Sequence, residues 1–291
     1  MLYDVSHRTT YRYQADVSVS HHVVHLRPVE LPRQQVLDFT LKVEPAPSVV
    51  VPRRDYFGNA TEFISVEGAH RRLIVTGRSR IQVFAPHLPD AFATLAWEKV
   101  RDECARDVLT PDTEAAEFRF DSPHIRRNPA FADYAAQSFT AGRPMLDATI
   151  DFMGRIYRDF TFDSRATTVA TPVDDVFKKR HGVCQDFAHL GIACLRSLGL
   201  PARYISGYLE TIPPPGKKRL VGADASHAWF AFWCPGHGWI GADPTNNMLP
   251  SDRHIVVARG RDYSDVSPLR GVVLGGGGHK LKVAVDVVRA E

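Results

Sequence analysis

Between residues 184 and 201 the sequence leaves little choice of local structure. Phe187, Leu190, Gly191, Cys194, Leu195 and Leu198 recur at i, i+3, i+4, i+7, i+8 and i+11, which is one face of an α-helix. Gly199 and Pro201 then stop it, the glycine as a C-terminal cap and the proline because it cannot continue a helix. The segment therefore reads as a helix that starts at Cys184 and buries a single stripe. Arg203 to Glu210 reads as a strand after it. His227 to Cys234 and Trp239 to Asp243 read as a β-hairpin turned at Pro235-Gly-His-Gly238. Pro244 has no N–H for a ladder, so the second strand is expected to end at Asp243 or to become an edge there.

Residues 1 to about 85 have a different texture. Thr9–Tyr13, Val17–Ser20, Val36–Val43, Thr61–Val66 and Leu73–Thr76 are short and rich in β-branched or aromatic residues. Turn signals separate them at Glu44-Pro-Ala-Pro47, Phe57-Gly-Asn59 and Glu67-Gly68. No helical period competes, so residues 1–88 are expected to form an antiparallel β-sandwich domain. Its His21, His22 and His25 are weak metal candidates, because His21 and His22 face opposite sides of a strand.

Pro86-His-Leu-Pro89 reads as a linker, and residues 91–160 as helical, with helical spacing at Ala130–Phe139 and Met145–Tyr157. Residues 89–291 are expected to hold this lead-in, a core and a last strand, Leu281–Val288, after the glycine run Gly275–Gly278. That run lacks the Lys-Ser/Thr and the helix of a phosphate loop. Pro213–Arg219 reads as an exposed, mobile loop whose Lys217, Lys218 and Arg219 are solvated or favour acidic substrates.

Composition narrows the function. A net charge of +3 and a pI of about 8.7 are too mild to imply nucleic acid. No apolar run approaches the roughly 20 residues of a membrane helix, and the start has no basic end followed by an apolar stretch. The expectation is a cytoplasmic protein with neither nucleic acid nor membrane as partner. The cysteines, Cys104, Cys184, Cys194 and Cys234, are too sparse and irregular for a disulfide framework.

The chemistry gathers on Cys184. A thiol in the first turn of a helix has unpaired N–H groups and the macrodipole to favour its thiolate. Gly182 allows a tight turn before it. His227 and Asp243 follow in the order of a nucleophile, its base and the orienter of that base. The hairpin tests this trio. If Cys234 pairs with Gly238, His227 and Asp243 become diagonal neighbours on one face; a register shifted by one turns Asp243 away. Gln185, Asp186, Trp229 and Trp239 are expected to support the site or its substrate. Asp186 suits the helix dipole but opposes ionisation of the thiol. Isolated cysteines are usually inert core residues, and Cys194 on the buried stripe reads as one. His181-x-x-Cys184 with Cys234-x-x-His237 is a competing zinc pattern, disfavoured because a helix N-terminus suits catalysis. No metal or cofactor is expected.

Gly182-Val-Cys-Gln-Asp-Phe187, Ser226-His-Ala-Trp229 and Asp243-Pro-Thr245 resemble the three core motifs of the transglutaminase-like superfamily. Leu198–Tyr208, His7-x-Thr-x-Tyr11 and Asp55-Tyr-Phe-Gly-Asn59 resemble its bacterial branch. The resemblance implies an α+β, papain-like core behind an N-terminal β-sandwich. It implies Cys184 as nucleophile, His227 as base and acid, and Asp243 as orienter. Calcium, used by the animal enzymes, is not carried over, since the chain has no Asp-x-Asp-x-Asp-Gly loop. The expected activity is attack on a peptide or isopeptide-like amide through a thioester, with hydrolysis favoured over transfer to an amine. A binding module that keeps the fold without catalysis is the alternative.

Overall fold

The computed structural model describes residues 1–106, 113–210 and 226–290. The first strands are β1 (Leu2–Val24), β2 (Gln34–Glu44), β3 (Val49–Arg54) and β4 (Ala60–Val83). They form an antiparallel sheet in which β1 and β4 run the full length side by side. β2 covers one half of β4 and β3 the other. Glu67-Gly68, read as a turn, instead lies inside β4, where Gly68 takes φ +101° and the register slips opposite Val17 and Val19. The slip swaps faces. Buried positions in β1 are Tyr3, Val5, His7, Thr9, Tyr13 and Val17, then Ser20, His22 and Val24. One extra residue moves the pattern from odd to even. The bent sheet thus encloses its own core, with Val43 and Val75 from one half and Ile64, Val66 and Leu269 from the other. The sandwich is one continuous sheet folded over on itself.

The helical lead-in holds α1 (Trp97–Arg106), α2 (Thr113–Ala116), α3 (Pro129–Ala136) and α4 (Met145–Asp159). Asn128 caps α3 by accepting from the Ala130 N–H at 2.9 Å, with Pro129 at the first helical position. Then come β5 (Thr161–Phe162), α5 (Val173–Lys179), β6 (His181–Gly182) and α6 (Cys184–Ser197). The core sheet follows as β7 (Ala202–Leu209), β8 (Ser226–Cys234), β9 (Gly238–Ala242) and β10 (His254–Gly260), in the order β10-β7-β8-β9, all antiparallel.

The helix α6 is the centre of the molecule. It is buried on every side from Asp186 to Arg196, not along one stripe. The sheet covers one side and α3, α4 and α5 cover the other. The polar side is tolerated because it is bonded. Arg196, 1% exposed, donates to the carbonyls of Phe120, Ala202 and Arg261.

After α7 (Tyr263–Val266) the chain leaves the core. β11 (Leu269–Gly275) and β12 (His279–Arg289) both pair with β1. The last strand, grouped by sequence with the core, belongs instead to the N-terminal sheet, where Tyr3 opposes Arg289 and Tyr13 opposes His279. A partner almost a whole chain away leaves no local signal. The two sheets also share one hydrophobic core, in which Tyr3, Val5, Val285 and Val287 join Tyr208 and Ile255. Polar side chains fasten the joint. Gln34 bonds both the N–H and the C=O of Val256, Asn59 does the same to Arg259, and His7 Nδ1 lies 3.0 Å from the Tyr208 hydroxyl.

Among the described residues no helix is long and apolar enough to cross a membrane. The loop expected at Pro213–Arg219, with Lys217, Lys218 and Arg219, lies outside the described residues.

Candidate active site

Cys184 is the first residue of α6 and is half-buried. The approach to it is tightly held. Arg180 ends α5 in the left-handed region at φ 59°, its guanidinium over the rings of Phe177, Phe160 and Tyr134. β6 is pinned beside β5 through the Thr161 and Asp163 N–H groups, which donate to Arg180 and Gly182 carbonyls. Asp186, one turn into α6, accepts from the Val183 N–H at 2.8 Å and the Thr167 hydroxyl at 2.6 Å. This one-way cap, from the Val183 N–H to the Asp186 carboxylate, fixes the helix start that carries the thiol. Burial pushes the Asp186 carboxyl up, and those two hydrogen bonds pull it back. Gly182 is needed for space, not for a left-handed turn: a Cβ there would lie 2.8 Å from Asp186 Oδ2 and 2.9 Å from its Cβ.

The hairpin has the register that serves the trio. Cys234 pairs with Gly238, Phe232 with Ile240 and Phe230 with Ala242. Asp243 follows directly, is fully buried, and bonds Met248 in place of a further ladder step. Its carboxylate accepts a hydrogen bond from His227 Nε2 at 2.7 Å. Cys184 is near enough to act on the same imidazole, and with Nε2 given to Asp243, Nδ1 is the nitrogen left for a thiol. Burial alone would depress His227, but Asp243 and the neighbouring Cys184 outweigh it and raise it to about 10. Burial likewise opposes the Asp243 charge, yet its hydrogen bonds hold the carboxyl far below the usual range.

Five donors converge on Asp243. Oδ2 accepts from His227 Nε2, from Asn246 Nδ2 at 2.8 Å and from His254 Nε2 at 3.3 Å. Oδ1 accepts from the Thr245 and Asn246 N–H groups at 3.0 and 3.3 Å. His254 and Asn246 were not visible in the sequence. Asn246 follows Asp243 by one turn, a pattern that could have flagged it, whereas His254 arrives on another strand. His254 is fully buried, and its Nδ1 accepts from the Ser251 N–H at 3.2 Å, so its proton sits on Nε2. Burial keeps it neutral.

The ligand atoms of His227, Asp243 and His254 all lie within 4.8 Å of one another. They do not suit a metal. Both imidazoles donate their Nε2 protons to the carboxylate, and His254 would have to become an anion to bind through Nε2 while Nδ1 accepts from Ser251.

Trp229 packs beside both histidines, its ring centroid 5.8 Å from that of His227 and 5.2 Å from that of His254. Gly207 makes room for it, since a Cβ there would meet the indole at 2.7 Å. The other expected residues lie elsewhere. Trp239 sits four residues up β9, against Phe118 at 5.2 Å and Trp233 at 5.6 Å, under the Arg203 guanidinium. It supports the hairpin turn, not Cys184. Gln185 spends its side-chain amide on the Val169 carbonyl at 3.3 Å. Cys194 is fully buried, and burial pushes its thiol far above the usual range. The zinc pairing fails on distance. Cys234 lies seven residues along β8 from His227, roughly 23 Å, while Cys184 is near enough to that histidine to shift it. His21, His22 and His25 also diverge: His21 stacks on Phe63 and His25 bonds Asp55 and the Ser267 carbonyl.

The arrangement is a thiol at a helix N-terminus near an imidazole that is backed by a saturated carboxylate. Residues 3–82 match the bacterial transglutaminase-like N-terminal region, and residues 133–244 match the transglutaminase-like superfamily. An uncharacterized protein of Mycobacterium tuberculosis is 43% identical over 294 residues, covering 99% of this chain and 93% of its own. A protein-glutamine gamma-glutamyltransferase of Pseudomonas aeruginosa is 30% identical over 122 residues, covering 42% of this chain and 18% of its own. A crystal structure from Cytophaga hutchinsonii, described as a "Putative Cysteine Protease", shares the fold with a TM-score of 0.75 at 20% identity, covering 100% of this chain and 92% of that one.

Proposed function

The chain belongs to the transglutaminase-like superfamily, and on that footing we propose that it is an enzyme that cleaves an amide through a Cys184 thioester. The observation that carries this reading is the imidazole of His227, held by Asp243 at 2.7 Å and close enough to Cys184, the first residue of α6, to be raised by it.

In this reading Cys184 Sγ, as thiolate, attacks the amide carbonyl. The first-turn N–H groups of α6 hold the developing oxyanion. His227 gives its Nδ1 proton to the leaving amine nitrogen, the C–N bond breaks, and the acyl group stays on Sγ as a thioester. A water or a second amine then attacks, losing its proton to His227, and the thiolate returns. Asp243 keeps the imidazole oriented throughout and balances its charge. Hydrolysis of a peptide or isopeptide-like bond is the preferred outcome. Transfer to an amine is the second reading, favoured by the name of the Pseudomonas relative. A cytoplasmic setting fits a chemistry that needs a reduced thiol.

Alkylation with mass mapping tests the nucleophile. Cys184 should label well below about pH 8, and His227→Ala should abolish that low-pH reactivity. A Cys184 that labels no faster than an ordinary thiol sinks the reading and leaves a binding module.

A further inference from the structure

A cavity of about 680 Å³ lies behind the catalytic hairpin, between the linker after β4 and the core sheet. None of Cys184, His227 or Asp243 lines it. Its walls are apolar: Phe84 and Leu88 from the linker, and Ile205, Trp229, Ala231 and Val256 from the sheet. Phe84 and Leu88 are 50% and 42% exposed, which is costly for large apolar side chains that share one concave surface. The volume is that of a small-molecule site.

The titratable lining is basic throughout: Arg33, His87, Arg203, His237 and Arg259, with no carboxylate. Arg203 lies over Trp239, 4.2 Å from the ring centroid. Arg33 donates only a 3.5 Å bond to the Ser251 carbonyl, and Arg259 a 3.2 Å bond to that of Phe57. Among the described residues neither has an acidic partner. Both are half-buried, and burial lowers Arg33. Guanidinium groups that face an apolar cavity without a counter-charge call for an anion brought by a ligand.

We propose that this cavity binds a small organic anion with an apolar body, the body against Phe84, Leu88 and Trp229 and the anionic head at one of two guanidiniums, Arg33 near the start of β10 or Arg259 near its end. The site contains none of Cys184, His227 or Asp243, although Trp229 packs against His227 and His254, and binding there is read without the thiol chemistry.

The test is fluorescence titration of the full chain with 8-anilinonaphthalene-1-sulfonate, an aromatic body carrying a sulfonate, with decanoate and decylamine as competitors. The expected result is saturable binding at one site, displaced by decanoate and not by decylamine. The Arg33→Gln/Arg259→Gln double variant should weaken it at least tenfold. Ala231→Leu, which fills the cavity floor, should weaken it as much. Thermal melts show which variants are folded, and either one suffices. Absence of saturable binding, equal displacement by decylamine, or unchanged affinity in a folded variant overturns the proposal.

Discussion

Asp243→Asn is a nearly isosteric change whose cost can be read from the donors around the carboxylate. Three donors meet Oδ2 and two meet Oδ1. An amide has one acceptor oxygen. Whichever way it is turned, its NH₂ faces at least two N–H groups around a side chain that is itself fully buried. Each unsatisfied buried donor costs about 1–3 kcal/mol, so the variant should lose roughly 2–6 kcal/mol of stability. The effect on the thiol is separate. His227 keeps its burial but loses the anion that holds its proton. The lost charged hydrogen bond, about 1.5–3 kcal/mol, corresponds to a roughly 10- to 150-fold slower alkylation of Cys184 near neutral pH. The assay is the rate of iodoacetamide modification at about pH 6, mapped to Cys184, with urea unfolding on the same sample. An Asp243→Asn variant that is folded and alkylates at the wild-type rate would refute the electrostatic role given to Asp243.

His254→Gln removes one longer hydrogen bond from Asp243, at 3.3 Å. It should slow alkylation roughly three- to tenfold, about 1 kcal/mol, far less than Asp243→Asn; a larger loss would mean that His254 does more than hold the carboxylate. Gly182→Ala places a methyl 2.8 Å from Asp186 Oδ2 and should cost about 1–3 kcal/mol in unfolding experiments, with slower Cys184 alkylation as the cap is displaced. Stability should also carry the signature of His227. Its folded value, about 10, lies above the ordinary value of about 6.5. The contribution is therefore complete below about pH 6.5 and is lost as pH rises through about 10. The stability difference between the wild type and His227→Ala should shrink over that window, and a flat difference would contradict the assignment.

How much of this was legible beforehand depends on the range of each signal. The helix at Cys184 announces itself through local spacing and its Gly199 and Pro201 stop. The pairing of Cys234 with Gly238 follows from a short loop, and it brings His227 to Asp243. Other features depend on distant partners. The run from Leu2 to Val24 looks like two strands because the bulge near Val17 interrupts its alternation. The strand β3 (Val49–Arg54) contains Pro52, which hides it from a propensity reading, although an edge position tolerates proline. β11 and β12 find β1 across most of the chain, and His254 reaches Asp243 only because β10 crosses to the far edge of the sheet. Trp239 misled for the opposite reason: it has the right residue type near the right motif, but it lies toward the turn.

The central claim is that acyl transfer runs through Cys184 with His227 as its proton partner. Its most direct test is mass spectrometry of the protein quenched in acid during reaction with an amide-substrate panel, with and without an added amine. The account predicts an acyl adduct on Cys184, released as the acid in water and as a new amide when the amine is present and competes, and no adduct in His227→Ala. Turnover that persists in Cys184→Ala, or an adduct mapped to any other residue, would contradict it.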